Sequence, residues 1–489
     1  MPLCQVNGFL REYVLSKSVE ENFLFVLEGT HAYQHYMKRM DQGGILLHLA
    51  IDKSWDRDKN VFEWIDFSRL RSLTVYGRWE PFFISYKMER LRVLDLEDVS
   101  SGLTNDDVEN MVKVLPRLKF LSLRGCREIT DLPAFLGDLK QLQTLDIRET
   151  SVIKLPKSII KLEKLQYIRA GTAVILDNDT ATTFRILPVV AEAASKSSTS
   201  ATPMRRPRAV LGSCIPKLST RSRLDDDSHN GIKVPRGIGR LSSLHTLGVV
   251  NISTAGEEGT LEQLKNLSLL HKLGVSGINQ NNCVKLFSAI SHLPHLESLS
   301  LQFQLNQDHE AAVYMVGLLS PRVKLRSLKL YGLIDKLPAC IMQAWFQLHE
   351  LRKLSLQMKI LPQQELDSIL SLRNLRSLHL RLADFQDGEL RFGWGIAQSF
   401  GGWIIDFLEI SCNSRLQALR FGSSIDVEIL QIRCSSVSSS LKFFGLESMD
   451  SLKEVWFSGP YADDLKNHLQ NELLDNVNKP IMYMQEPSS

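Results

Sequence analysis

The 489-residue chain lacks the marks of most large functional classes. It has no apolar run near the roughly 18 residues needed to cross a bilayer. Its opening, MPLCQVNGFLREYVLSK, places Arg11 and Glu12 where a secretory signal requires unbroken apolarity, so neither a membrane span nor secretion is expected. Net charge is also small: 58 basic against 55 acidic side chains leave +3. No global cationic field exists to draw in nucleic acid. Seven cysteines (Cys4, Cys126, Cys214, Cys283, Cys340, Cys412, Cys434) are odd in number, scattered, and free of any C-x-x-C pair, which favours a reducing compartment and opposes structural zinc. The phosphate loop, the G-x-G-x-x-G turn, H-E-x-x-H and G-x-S-x-G are all missing, so the expectation is no enzyme, with no catalytic residue and no cofactor. His31 and His35 have the i, i+4 spacing of a helical metal site, yet no acidic or cysteine ligand matches them, and no metal is assigned.

What the chain has is leucine at a fixed period. Between Leu115 and Ile168 the pattern L-x-x-L-x-x-L-x-L is met three times, through Leu115, Leu118, Leu121 and Leu123, then Leu139, Leu142, Leu145 and Ile147, then Leu162, Leu165 and Ile168. The step from Leu121 to Leu145 is 24 residues and from Leu145 to Ile168 is 23. This period and pattern are the signature of a leucine-rich repeat, whose short strand and return segment cannot bury their apolar side without a stacked neighbour. The predicted fold is α/β: a leucine-rich-repeat solenoid, a curved horseshoe with a parallel sheet on its concave face, behind a short helical flank.

Residues 1–40 form that flank, with Phe9, Leu10, Tyr13 and Val14 at helical spacing. Residues 41–176 hold the first repeats, beginning at Leu46, Leu49 and Ile51. Residues 177–231, rich in Ala, Ser, Thr, Asp, Pro and Arg, read as a disordered insertion, because such a composition buries too little apolar area to offset its ordering entropy. Its basic tetrad, with Arg205, Arg206 and Arg208, reads first as solvated linker and second as a nuclear-import or anionic-surface contact. Residues 232–460 resume the repeats with anchors at Leu247, Leu273, Leu299, Leu328, Leu354 and Leu378, spaced 26, 26, 29, 26 and 24, which leaves room for helices on the outer side. Two 11-residue intervals near Leu419 predict a hairpin-like distortion. Residues 461–489 read as a capping helix and tail, with Asp463 and Asp464 ahead of Leu465, Leu469 and Leu473.

In a strand of the form x-L-x-L-x the leucines point inward and their neighbours point out. Leu118, Leu121, Leu123, Leu142, Leu145 and Ile147 are therefore core, and Leu145→Ala is expected to lower the melting temperature while Arg148→Ala leaves it nearly unchanged. Asp95, Glu97, Arg124, Asp146, Arg148 and Arg169 fall on consecutive outward rungs, followed by Lys329, Tyr331, Gln357 and Arg381, with Ser122, Lys353 and His379 beside them. Each alone reads as a solvated rung with ion pairs such as Glu97 to Arg124. Together they form an extended surface of the kind solenoids use to bind proteins.

The unit from Leu139 to Leu165, with Thr150, Leu155, Pro156 and Ile159, resembles the repeats of plant intracellular nucleotide-binding leucine-rich-repeat immune receptors. The segment CREITDLP is also similar to F-box adaptor repeats, but its Leu-Pro favours the receptors. REYVLSKSVEENF, LHTLGVVNI, HKLGVSGIN and HLQNEL look like the coiled-coil class of these disease resistance proteins found in grasses. The family's nucleotide-binding module ends in a Met-His-Asp triplet, whose positions here hold Val6, Asn7 and Gly8, so its switch residues do not carry over. The resemblance implies a cytoplasmic, pathogen-sensing and autoinhibitory repeat domain that lacks its nucleotide-binding module, either as a shortened paralogue or as the part of a receptor after an internal methionine. Its implied partners are a pathogen effector or host target, and a nucleotide-binding module in cis or in trans. A stand-alone signalling scaffold or adaptor is the alternative.

Overall fold

The computed structural model describes residues 24–29, 45–97, 99–171, 187–188, 231–253, 258–279, 281–303, 324–337, 348–393, 403–413, 415–435 and 441–485. The chain packs as two units. The first comprises Met1–Ile175, Asp227–Leu325 and Pro338–Ala344, and the second Leu176–Asp226, Arg326–Leu337 and Trp345–Ser489. His31, His35 and the tetrad around Arg206 lie outside the described residues.

In the first unit the inward leucines form one continuous row. Leu49, Leu73, Leu94, Leu121, Leu145, Ile168, Leu247, Leu273 and Leu299 stand in register on successive parallel strands. None is more than 1% exposed, and each contributes roughly 2 kcal/mol through the area it removes from water. Leu118, Leu123, Leu142 and Ile147 are buried with them, as their spacing predicts. A shared backbone acceptor locks the repeats together. Lys119 O accepts from Gln143 N at 2.8 Å and Thr144 N at 3.0 Å, and Gln143 O accepts from Gln166 and Tyr167 in the same way. The short repeats return through 3-10 turns, Leu136–Asp138 and Lys157–Lys161. The longer ones return through helices such as Glu258–Leu264 and Cys283–Ile290.

The ladder begins earlier than the flank boundary at residue 40 implies, because Leu24–Leu27 is a strand parallel to His48–Ile51. Its LFVL buries Phe25 and Leu27 without an upstream leucine anchor to betray it. The insertion opens within a single repeat. Strand Tyr167–Gly171 aligns Gly171 with Arg148, and Lys233 then pairs with Lys154, so IKVP at 232–235 is the counterpart of IKLP at 153–156. Of the predicted disordered segment Leu187–Pro188 and Gly231 are described, and Leu187–Pro188 pairs antiparallel with Met484 and Tyr483.

The second unit repeats the scheme in strands Ser327–Leu333, Lys353–Ile360, Ser377–Asp384, Trp403–Cys412, Ile425–Cys434, Glu454–Ser458 and Ile481–Gln485, parallel from each to the next. Two expectations are corrected here. The 11-residue intervals are no hairpin: Glu389–Phe392, Ala418–Phe421 and Lys442–Phe444 form a second parallel ladder, burying Leu390, Leu419, Phe443, Phe392 and Phe421. Each repeat here supplies two strands, which halves the apparent period. Helix Asp463–Leu474 does bury Leu465, Leu469 and Leu473, but it does not close the stack. Asn476, 2% exposed, donates to Leu446 O and Met449 O at 2.7 and 2.9 Å and turns the chain into one more strand, Ile481–Gln485. Its inward positions are Met482 and Met484, so a search for leucine passes over it.

Candidate functional site

The outward strand face of the first unit carries an ordered chain of charges. Asp95, Ser122, Asp146 and Arg169 lie in one register row. Arg124 bridges two acids, pairing with Glu97 and reaching Glu149 Oε1 through Nε and Nη2 at 3.1 and 3.0 Å. Glu149 was not expected there. It faces the site because its backbone takes the left-handed conformation, φ 60°, just past the strand, where alternation no longer applies.

Asp146 departs most from expectation. It sits on an outward rung yet is 2% exposed. Arg148 covers it, with Nε to Oδ1 at 2.9 Å and Nη2 to Oδ2 at 2.6 Å, while its backbone N–H donates to Oδ1 at 3.2 Å. Arg169 stands off at 3.7 Å. The hydrogen bonds to Asp146 are the main reason the Arg148 guanidinium is held above its ordinary value. Lys272 lies on the neighbouring rung after Tyr167 and Thr246. Burial, then the charges of Arg169 and Arg148, push its amine down. This face therefore runs from acidic groups at Asp95 and Glu97 to cations at Arg169 and Lys272.

The second unit brings Gln357 and Arg381 together in one row with Ser411 and Arg433, and Ser355, His379, Glu409, Gln431, Trp456 and Tyr483 in the next. Lys329 pairs in register with Ser355, in that second row. Lys353 stands one rung further on, opposite Ser377. Tyr331 is half-buried; burial pushes its hydroxyl up against the opposing charge of Arg381. Gln357 Oε1 and Ser122 Oγ are buried with no hydrogen-bond partner. Glu409 is the hub: His379 Nδ1 meets its Oε2 at 2.7 Å and Arg433 Nε donates to its Oε1 at 3.2 Å. Burial alone would raise this carboxyl, but the His379 hydrogen bond and the charges of Arg433 and Arg381 outweigh it and hold it below the ordinary value. Further along the same row, beyond Gln431, Trp456 and Tyr483 stack at 4.0 Å, with Trp456 Nε1 donating to Glu454 at 2.8 Å. Glu409, Arg433 and Trp456 were readable from the alternation in FLEIS, LQIR and VWFS, and went unassigned because that stretch of repeats looked irregular.

Ser377 Oγ lies 2.9 Å from His379 Nε2, so serine, imidazole and carboxylate stand in the order of a hydrolase triad. The surroundings do not support that chemistry. Arg433 already neutralises Glu409, and Ser377 N–H is bound to Arg352 O at 2.9 Å in the ladder, leaving that amide unable to hold an oxyanion. The chain of bonds instead fixes the His379 ring on the face. Among the described residues, no group of three or more His, Cys, Asp or Glu side chains is placed to hold a metal ion.

The two faces thus present parallel rows of charged and polar side chains that include Trp, Tyr and Arg, the residue types that dominate binding energy at interfaces. The model of the leucine-rich repeat region family matches residues 69–202 and 209–480. The disease resistance protein Pik-2 of Oryza sativa subsp. japonica is 26% identical over 515 residues, covering 98% of this chain and 45% of that protein. The rice disease resistance protein RGA4 is 32% identical over 166 residues, 34% of this chain and 15% of its own length. Among solved structures, the ectodomain of the receptor kinase GASSHO1/SCHENGEN3 from Arabidopsis thaliana aligns with a TM-score of 0.36 at 13% identity, over 85% of this chain and 51% of its own. The chain thus spans about half the length of the curated relatives it matches along its whole extent. With its rows of buried leucines and a family match across most of its length, the chain belongs to the leucine-rich repeat region family.

Proposed function

We propose that this chain is the recognition and autoinhibitory repeat region of a plant innate immune receptor, acting without catalysis. The similarity over 98% of its length to a rice disease resistance protein carries the reading. The two strand faces support it, since they offer ordered charge and stacked aromatics. Arg169 and Lys272 in the first unit, and Tyr331, Arg381 and Trp456 in the second, are the positions through which a pathogen protein or a modified host protein is held. The N-terminal segment, similar to the helix after a nucleotide-binding module, contacts such a module in cis or in trans. Among the described residues no helix is long and apolar enough to cross a membrane, and a cytoplasmic location follows from the resemblance.

Co-expression in leaf tissue with the nucleotide-binding module of a receptor of the class the chain resembles tests the reading. Suppression of that module's cell-death output by this chain supports it. Absence of both association and suppression favours the alternative, a stand-alone signalling scaffold. Calorimetry with ADP and ATP should show no tight binding to the chain alone.

A further inference from the structure

Cys412 and Cys434 end the two ten-residue parallel strands Trp403–Cys412 and Ile425–Cys434, directly opposite one another in register. Both thiols point into the core, each residue 5% exposed, and their Sγ atoms approach to 2.8 Å. Neighbouring strands run about 4.8 Å apart, inside the roughly 4.4–6.8 Å Cα separation that a disulfide bridges. The strand ends cannot easily part. Ser435 N–H donates to Cys412 O at 3.1 Å, continuing the ladder past the pair. On the other side Gly459, φ +132°, packs so closely that a Cβ there would stand 2.1 Å from Cys434 O. Cys126, by contrast, turns its Sγ to Leu96 O at 3.3 Å.

We propose that Cys412 and Cys434 form an oxidisable dithiol that closes to an intrachain disulfide on exposure to hydrogen peroxide. One sulfur attacks the peroxide, the O–O bond breaks, and a sulfenic acid and one water result. The second thiol then displaces hydroxide from that sulfur, forming the S–S bond and a second water. Two thiols lose two protons and two electrons, and the peroxide is reduced to two waters. The hydrogen bond to Cys434 and burial hold the Cys412 thiol up, which makes the first step slow and limits closure to sustained oxidation. Closure staples the strands that carry Glu409 and Arg433, whose carboxylate and guanidinium meet at 3.2 Å on the outward face.

Thiol counting on the purified full chain tests this. With seven cysteines, the reduced chain titrates seven thiols in denaturant. After hydrogen peroxide treatment we expect five, return to seven with dithiothreitol, and a peptide joining Cys412 to Cys434 in a non-reducing tryptic map. Cys434→Ser and Cys412→Ala should each titrate six before treatment and give no disulfide-linked peptide after it. The oxidised wild type should also unfold at higher guanidinium concentration than the reduced. Seven thiols after oxidation, a disulfide-linked peptide in either variant, or a wild-type crosslink elsewhere overturns the proposal.

Discussion

Removing Arg148 separates a structural role for the outward charges from a purely solvated one. Asp146 is 2% exposed and takes two side-chain hydrogen bonds from Arg148, at 2.9 and 2.6 Å. Arg169, at 3.7 Å, is its other cation. Hydrogen bonds to charged groups are worth about 1.5–3 kcal/mol when buried. The Arg148 side chain is 35% exposed, so solvent screening lowers that figure. Arg148→Met should therefore cost about 1–2 kcal/mol, a melting shift of about 1–3 °C at roughly 1–2 °C per kcal/mol for a folding unit of this size. This replaces the expectation that truncating Arg148 is neutral. Asp146→Asn removes the buried charge, so in its background Arg148→Met should cost less, a coupling of about 1 kcal/mol in guanidinium melts followed by circular dichroism. Additive single effects, or a silent Arg148→Met, would refute the claim that Arg148 holds a buried carboxylate.

Leu145→Ala, at a wholly buried position, should destabilise by about 2–5 kcal/mol, clearly more than Arg148→Met in the same melts; equal shifts would contradict the inward and outward assignment. The repeat before the insertion uses four residues, 149–152, between Arg148 and Ile153, so replacing 172–231 by four residues should preserve the circular dichroism spectrum and cooperative unfolding. Loss of cooperativity would mean the insertion is integral to the repeat. Glu472 is pushed up to about 7 by burial, by Glu447 and by Asp475, from an ordinary 4.5. The folded chain then binds a proton that the unfolded chain has released between these values, so this contribution is full below the lower value and lost as pH rises through the upper. Wild-type melting temperature should fall between pH 5 and 8 more steeply than that of Glu472→Gln; parallel curves would assign the fall to other groups.

Much of the fold was legible because a leucine-rich repeat writes its core in one dimension. Leu121, Leu145 and Ile168 fall in register because the period that brings them together is local to each repeat. Elements without leucine at the anchor were missed, as with LFVL at 24–27 and IMYMQ at 481–485, where Phe25, Met482 and Met484 take inward positions. The second ladder through Leu419 was misread because two strands in one repeat mimic a halved period. The face was legible in part. Alternation placed Arg124, Asp146, Arg148 and Arg169 outward, but the burial of Asp146 depends on how Arg148 folds back over it, and the entry of Glu149 on a left-handed backbone turn. Those are properties of side-chain packing and φ, which spacing does not carry.

Recognition of a protein partner in plant defence is the role proposed for the strand faces. It is tested most directly by quantitative affinity purification of the tagged chain from challenged and unchallenged leaf tissue. Wild type is compared with Arg169→Glu/Arg381→Glu and with a control at positions off the strand face, Lys140→Glu/Lys164→Glu. A challenge-dependent protein or a receptor nucleotide-binding module is expected with wild type and control, and loss of the challenge-dependent protein with the face variant. The same defence-unrelated partners in both tissues, unaffected by the face substitutions, would contradict it.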